Sequence, residues 1–131
     1  MGDLSKSFNR SEFACLCGCG RVKIDIELIA ALEWLDTALV EYLEGREVYI
    51  VITSGNRCPV HNFKVGGSRA SKHMYSLACD FKVYIKDTRE QVHPAIIFAV
   101  LDNQFPDKYG IGLYVNRNHL DVRWDRARWE V

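Results

Sequence analysis

Three side chains, His73, Asp80 and His119, supply two imidazoles and one carboxylate. Catalytic zinc uses such a donor set when three protein groups hold the ion and a fourth position stays open to water. His73 and Asp80 bracket the stretch SKHMYSLACD, polar until it turns apolar at its end, and His119 opens HLDVRW. A plainer reading competes with the metal. Any chain with four histidines yields such triples by chance, and these residue types are at home as solvated loop positions. The two readings separate on whether the intervening chain can bring three distant donors to one point.

The elements around them suit that task. LACDFKVYI, from Leu77, reads as a strand with Ala78, Asp80 and Lys82 on one face and Cys79, Phe81 and Val83 on the other. GIGLYV, the turn NRN and HLDVRW predict a hairpin whose second strand puts His119 and Asp121 on one face and Leu120 and Val122 on the other. His73 closes the long loop GNRCPVHNFKVGGSRASKHM, which carries Gly66-Gly67 and has a length that is usually functional or disordered. Antiparallel strands at Asp80 and His119 would then meet beside that loop.

Upstream, Ile26, Ile29, Leu32, Leu35, Leu39 and Leu43 recur at helical steps, predicting a helix with Asp25 as N-cap and Gly45 as its end. EVYIVITSG follows as a buried strand. A second helix is expected over Thr88 to Leu101, with Asp87 as N-cap and Pro106 beyond its end, although His93-Pro94 interrupts its first turn. DRARWEV is read as a short terminal turn. FACLCGCGRVKID, broken by Gly18 and Gly20, is read as a turn or irregular segment.

The 131 residues fit one domain, residues 1–131, with neither repeat nor low-complexity linker. Lys+Arg 17 balance Asp+Glu 17, so no overall field draws the chain to nucleic acid or anionic lipid. Without an apolar leader or a membrane-length run, synthesis in the cytoplasm without a signal peptide is expected, and a monomer is favoured. Five cysteines cannot all pair within one chain and lean toward a reducing compartment.

SGNRCPVHN, VGG, SKHMYSLACD, GIGLY and HLDVR, with a terminal RW, occur in that order. Together they resemble the zinc D-Ala-D-Ala carboxypeptidase family of peptidoglycan peptidases. The likeness runs from Phe13 to Trp129 and includes the Phe-x-Cys-x-Cys-Gly opening of its small members, matched by Phe13, Cys15, Cys17 and Gly18. The resemblance implies an α+β fold, a small antiparallel sheet with packed helices, like that of the hedgehog signalling domain. It implies zinc (Zn2+) held by His73, Asp80 and His119, a peptidoglycan peptide as substrate, and metal-activated hydrolysis of an amide bond.

The resemblance also assigns roles. Arg57 matches the arginine beside the substrate, where a guanidinium can hold a carboxylate or a developing oxyanion; otherwise it ties down its loop. Ser71 matches a substrate-binding serine, or is an ordinary loop residue. Many relatives carry an acid three positions before the last histidine, where this chain has Asn116. Asp121, on the His119 face, is the nearest substitute as general base, or else it orients His119 from behind. Ser76 stands where relatives often have glycine, so a local change of backbone is expected.

His61 could line the cleft, and His93 is read as a surface or packing residue. Cys15, Cys17 and Cys19 lack an evident fourth ligand and the spacing of a C-x2-C knuckle, so they are read as buried or redox-sensitive thiols. Trp34, Trp124 and Trp129 are read as core and edge packing. Two functions follow: a zinc peptidase cutting peptidoglycan stem peptides, of the lysis or wall-processing type found in phage, or a non-catalytic zinc-containing module that binds the cell wall.

Overall fold

The computed structural model describes residues 2–68 and 70–131. The fold is α+β, with a five-stranded sheet whose one face is covered by two helices, residues 26–42 and 94–104. Helix α1 (Ile26–Tyr42) begins where the Asp25 side chain accepts from the Glu27 N–H, as the sequence predicts. Leu28, Leu32, Leu35 and Leu39 face the core, whereas Ile26 is exposed because it lies on the solvent side of the first turn. Helix α2 (Pro59–Lys64) and a 3-10 turn over Lys72–Tyr75 give the long loop structure of its own.

Helix α3 spans Pro94–Gln104 and is capped by His93, whose Nδ1 accepts from the Ala95 N–H. The start expected at Thr88 is therefore corrected. Proline has no N–H to lose in the first turn, and it disfavours helical backbone in the residue before it. The preceding residues instead turn back so that Val92 N–H donates to Val83.

The strands are β1 (Val48–Ser54), β2 (Ala78–Ile85), β3 (Gly110–Leu113), β4 (Asn118–Asp121) and β5 (Ala127–Glu130), ordered β1-β2-β4-β3-β5. The first four pair antiparallel, but β5 joins β3 in parallel, so the terminal segment is a strand and the sheet is mixed. β1 lies at the edge with alternating exposure, not buried on both faces. Cys79, Phe81, Val83, Ile111 and Leu120 join the α1 and α3 stripes in one core. The opposite face of the sheet is left for other work. No helix among the described residues is long and apolar enough to cross a membrane.

Candidate metal centre

One row of residues crosses the whole sheet. Register places Ser54 beside Asp80, Asp80 beside His119, His119 beside Gly112, and Gly112 beside Trp129. A bulge between Ile52 and Ser54 sets the first of these pairs. The 3-10 turn carries His73 to the same face, and donor atoms of His73, Asp80 and His119 lie within 4.8 Å of one another. The structure thus brings together the three predicted donors, from a turn and two neighbouring strands.

Hydrogen bonds behind each imidazole fix which nitrogen faces inward. His73 Nδ1 lies 2.8 Å from the Gly55 carbonyl and donates to it, leaving Nε2 at 3.4 Å from Asp80 Oδ1. His119 presents Nδ1 to Asp80 Oδ1 at 2.9 Å, while its Nε2 lies 2.7 Å from Asp121 Oδ2. Asp121 is fully buried and heavily engaged. Arg123 donates to it through Nε at 2.7 Å and Nη2 at 2.8 Å, and the Gly110 N–H adds a bond at 3.2 Å. A Cβ at Gly110 would collide with that carboxylate, so the residue opposite Asp121 must be glycine.

These contacts set the charges. Burial opposes ionisation of Asp80, but hydrogen bonds from His119 and His73 hold its carboxyl well below the usual range. Burial likewise opposes charge on His119, and Asp121 and Asp80 overcome it, raising the imidazole above its ordinary value. Two carboxylates therefore draw a positive charge into a buried pocket. A divalent cation in place of the Nδ1 proton meets the same demand. Oxygen and nitrogen ligands about 2.0–2.2 Å from a tetrahedral zinc sit about 3.3–3.6 Å apart; the His73–Asp80 pair at 3.4 Å already has that spacing, and the His119–Asp80 pair, hydrogen-bonded at 2.9 Å, would open slightly as the ion replaces the shared proton. The residues present fit the metal.

A cleft of about 640 Å³ opens above the donors, lined by Arg57, Ser71, Lys72, Tyr114, Arg117, Arg123 and Trp129 among others. Asp80 is the one carboxylate among the described residues lining it. Arg57 reaches the cleft from the loop after β1, its Nη2 4.0 Å from Asp80 Oδ2 and its Nη1 donating to Asn62 Oδ1. Ser71 accepts from the His73 N–H and so caps the turn that presents the ligand. Asn116 lies exposed beyond β3, beside a second depression lined by His61, Arg57 and Asp80.

A family model described as Peptidase M15 matches residues 6–121. The chain belongs to the peptidase M15 family. That family is zinc-dependent, so membership brings the coarse assignment of a zinc metallopeptidase acting on a peptide. No curated protein and no solved structure matches the chain.

Several features of this M15 domain were not legible as functional. Trp129 packs on the edge strand β5, as expected, and also reaches the site: its ring centroid lies 4.9 Å from that of His119 and its Nε1 donates to the Tyr114 hydroxyl. The signal available was Gly-Ile-Gly in β3: two glycines on one strand face leave room for something else to cover it. At Gly112 that cover is Trp129, whose Nε1 would lie 2.5 Å from an added Cβ. Trp124 is exposed on a turn, not packed. Ser76 adopts the left-handed conformation that glycine favours, φ 63°, and its hydroxyl accepts from Asn56 Nδ2.

Proposed function

We propose that the chain hydrolyses amide bonds in peptidoglycan stem peptides, as a D-Ala-D-Ala carboxypeptidase or murein endopeptidase, and acts on the cell wall once released, in lysis or wall processing. The observation that carries this is the convergence of His73, Asp80 and His119 at the base of a cleft rimmed by Arg57, Lys72, Arg117 and Arg123. A chain of zero net charge has gathered positive charge around its open face. Stem peptides, with side-chain and terminal carboxylates, complement that charge.

His73 Nε2, the Asp80 carboxylate and His119 Nδ1 would hold zinc, which supplies Lewis acidity toward a peptide carbonyl and toward water. Arg57 offers its guanidinium to a substrate carboxylate or to the oxyanion that develops at the scissile carbonyl. Ser71 accepts from the His73 N–H and keeps its own proton for a substrate carbonyl. Asp121 accepts the Nε2 proton of His119 and fixes the tautomer that turns Nδ1 to the metal. With its oxygens held by His119, Arg123 and Gly110, Asp121 is better suited to orienting than to shuttling protons.

A second reading has one observation in its favour. With Asn116 at the usual acidic position and Asp121 engaged behind His119, the fold could hold zinc and grip a stem peptide without cutting it. Purified peptidoglycan incubated with the chain, before and after chelation and zinc restoration, separates the two. Mass spectrometry should find zinc-dependent fragments, loss of one D-Ala or release of a longer peptide naming the bond. Bound peptide with no fragments under any condition would favour the binding module.

A further inference from the structure

Cys58, in the loop that follows β1, completes a set that the amino-terminal cysteines begin. Sγ atoms of Cys15, Cys17, Cys19 and Cys58 all lie within 4.8 Å of one another. Cys15 and Cys17 are 3.5 Å apart, and Cys17 and Cys58 are 3.6 Å apart. These distances exceed the S–S bond of about 2.05 Å. They lie just under the edge of about 3.8 Å expected when four thiolates surround one zinc at about 2.3 Å. A two-iron cluster would instead hold its thiolates as two separated pairs.

The backbone is shaped to converge on one point. Left-handed Gly18 and Gly20, at φ 81° and 88°, curl the segment, and Cys15 N–H donates to the Arg21 carbonyl to close the turn. Leu16, between two of the cysteines, points to solvent. Backbone donors already meet the sulfurs: Cys58 N–H reaches Cys15 Sγ at 3.4 Å, and His61 N–H reaches Cys58 Sγ at 3.4 Å. Bonds of this kind strengthen when the sulfur is a thiolate. Cys58 is 43 residues from Cys15 in the chain, and for that reason spacing among the first three showed no fourth ligand. Cys15 is buried, whereas Cys17 and Cys19 are exposed, so burial, one of the two expectations for these thiols, holds for Cys15 alone among the three.

We propose that Cys15, Cys17, Cys19 and Cys58 form a tetrathiolate site for a structural zinc ion, separate from the His73–Asp80–His119 centre. Binding replaces the thiol protons, which pass to solvent, with four sulfur–zinc bonds and leaves no open position. The site ties the amino-terminal segment to the loop bearing Arg57. Phe13 O accepts from Asn56 N–H at 2.8 Å, and Gly55 lies against the Phe13 backbone so closely that a Cβ would come within 2.5 Å of its Cα. Gly55 O in turn receives the His73 Nδ1 proton, and Arg57 N–H donates to His73 O at 3.0 Å. The tetrathiolate ion thus positions a ligand and the guanidinium of the other centre.

The test is metal content and cobalt spectroscopy on the full chain, reduced and loaded with zinc or cobalt. The expected result is two ions per chain, with thiolate-to-cobalt charge-transfer absorption. His73→Ala should keep one ion and that absorption, whereas Cys17→Ser/Cys19→Ser should lose the absorption and one ion. A failure of the peptidase reading leaves these thiolate signals untouched, so the two ideas fail separately. If the cysteine variant does not fold, the intact chain is titrated with an organomercurial, which should release one zinc per chain to a chromophoric chelator. A reduced chain with no sulfur-bound metal and no mercurial-released zinc would overturn the site.

Discussion

The His73–Asp80–His119 centre and the cysteine cluster gather metal donors in opposite ways. The first is built on β2 and β4, with His73 locked to Gly55 and His119 to Asp121, so its geometry is held by hydrogen bonds that exist without an ion. The second rests on irregular backbone, with two N–H···S bonds and two of its thiols, Cys17 and Cys19, exposed. A preassembled site can leave a coordination position free for chemistry, because the scaffold keeps the donors in place. A site on loose chain needs every position filled to hold its shape.

That contrast can be broken at its strongest point first. Asp80→Ala removes a donor from the row and should reduce zinc-dependent fragment release to background. Cys19→Ser should lower activity only in part, because the sheet donors stay in register; equal loss in both would erase the distinction. Next, Gly110→Ala drives a methyl group into the Asp121 carboxylate. It should destabilise the fold by about 1–3 kcal/mol in denaturant titration and weaken zinc binding at the sheet while sparing the thiolate site.

Metal removal sharpens the comparison further. Stripping zinc from the wild type should lower the melting temperature by several degrees in a thermal scan. His73→Ala should show nearly the same drop, since stability gained from metal comes mainly from the cysteine site. The smallest effect concerns how the cysteine-bearing segment is docked. Burial opposes charge on Glu33, but the Ser5 hydroxyl at 2.5 Å and the Ser7 N–H at 2.7 Å lower its pKa. A carboxylate with a lowered folded pKa stabilises above its unfolded value, and loses that contribution as pH falls through the folded value. Glu33 is half-buried and still screened by solvent, so Glu33→Gln should cost a few tenths of a kcal/mol at neutral pH and flatten the acid limb of the stability profile.

Legibility followed the range of the signals. The α1 stripe and the alternation in LACDFKVYI are local periodicities, and both elements appear where the residues place them. The donors His73, Asp80 and His119 were nameable because their types are rare and their motifs ordered. Cys58 was not, because even its nearest partner in the chain, Cys19, lies 39 residues away, and the close approach of Gly55 to Phe13 that brings the two segments together is invisible in the sequence. β5 was missed because a short, charged parallel strand has no alternation strong enough to show. The two roles open to Asp121, base or orienter, followed from its sharing a face with His119; alternation reports a face but not the Arg123 fork that engages the carboxylate.

The account's central claim is that the sheet builds a zinc centre from His73, Asp80 and His119, oriented from behind by Asp121. The most direct test is the zinc affinity of that centre in the wild type and in Asp121→Asn, measured by competition with a chromophoric chelator alongside fragment release. An orienting Asp121 predicts about 10–100-fold weaker zinc binding in the variant, with fragment release recovering as zinc is raised. Unchanged affinity with hydrolysis lost at saturating zinc would contradict it and make Asp121 the proton acceptor.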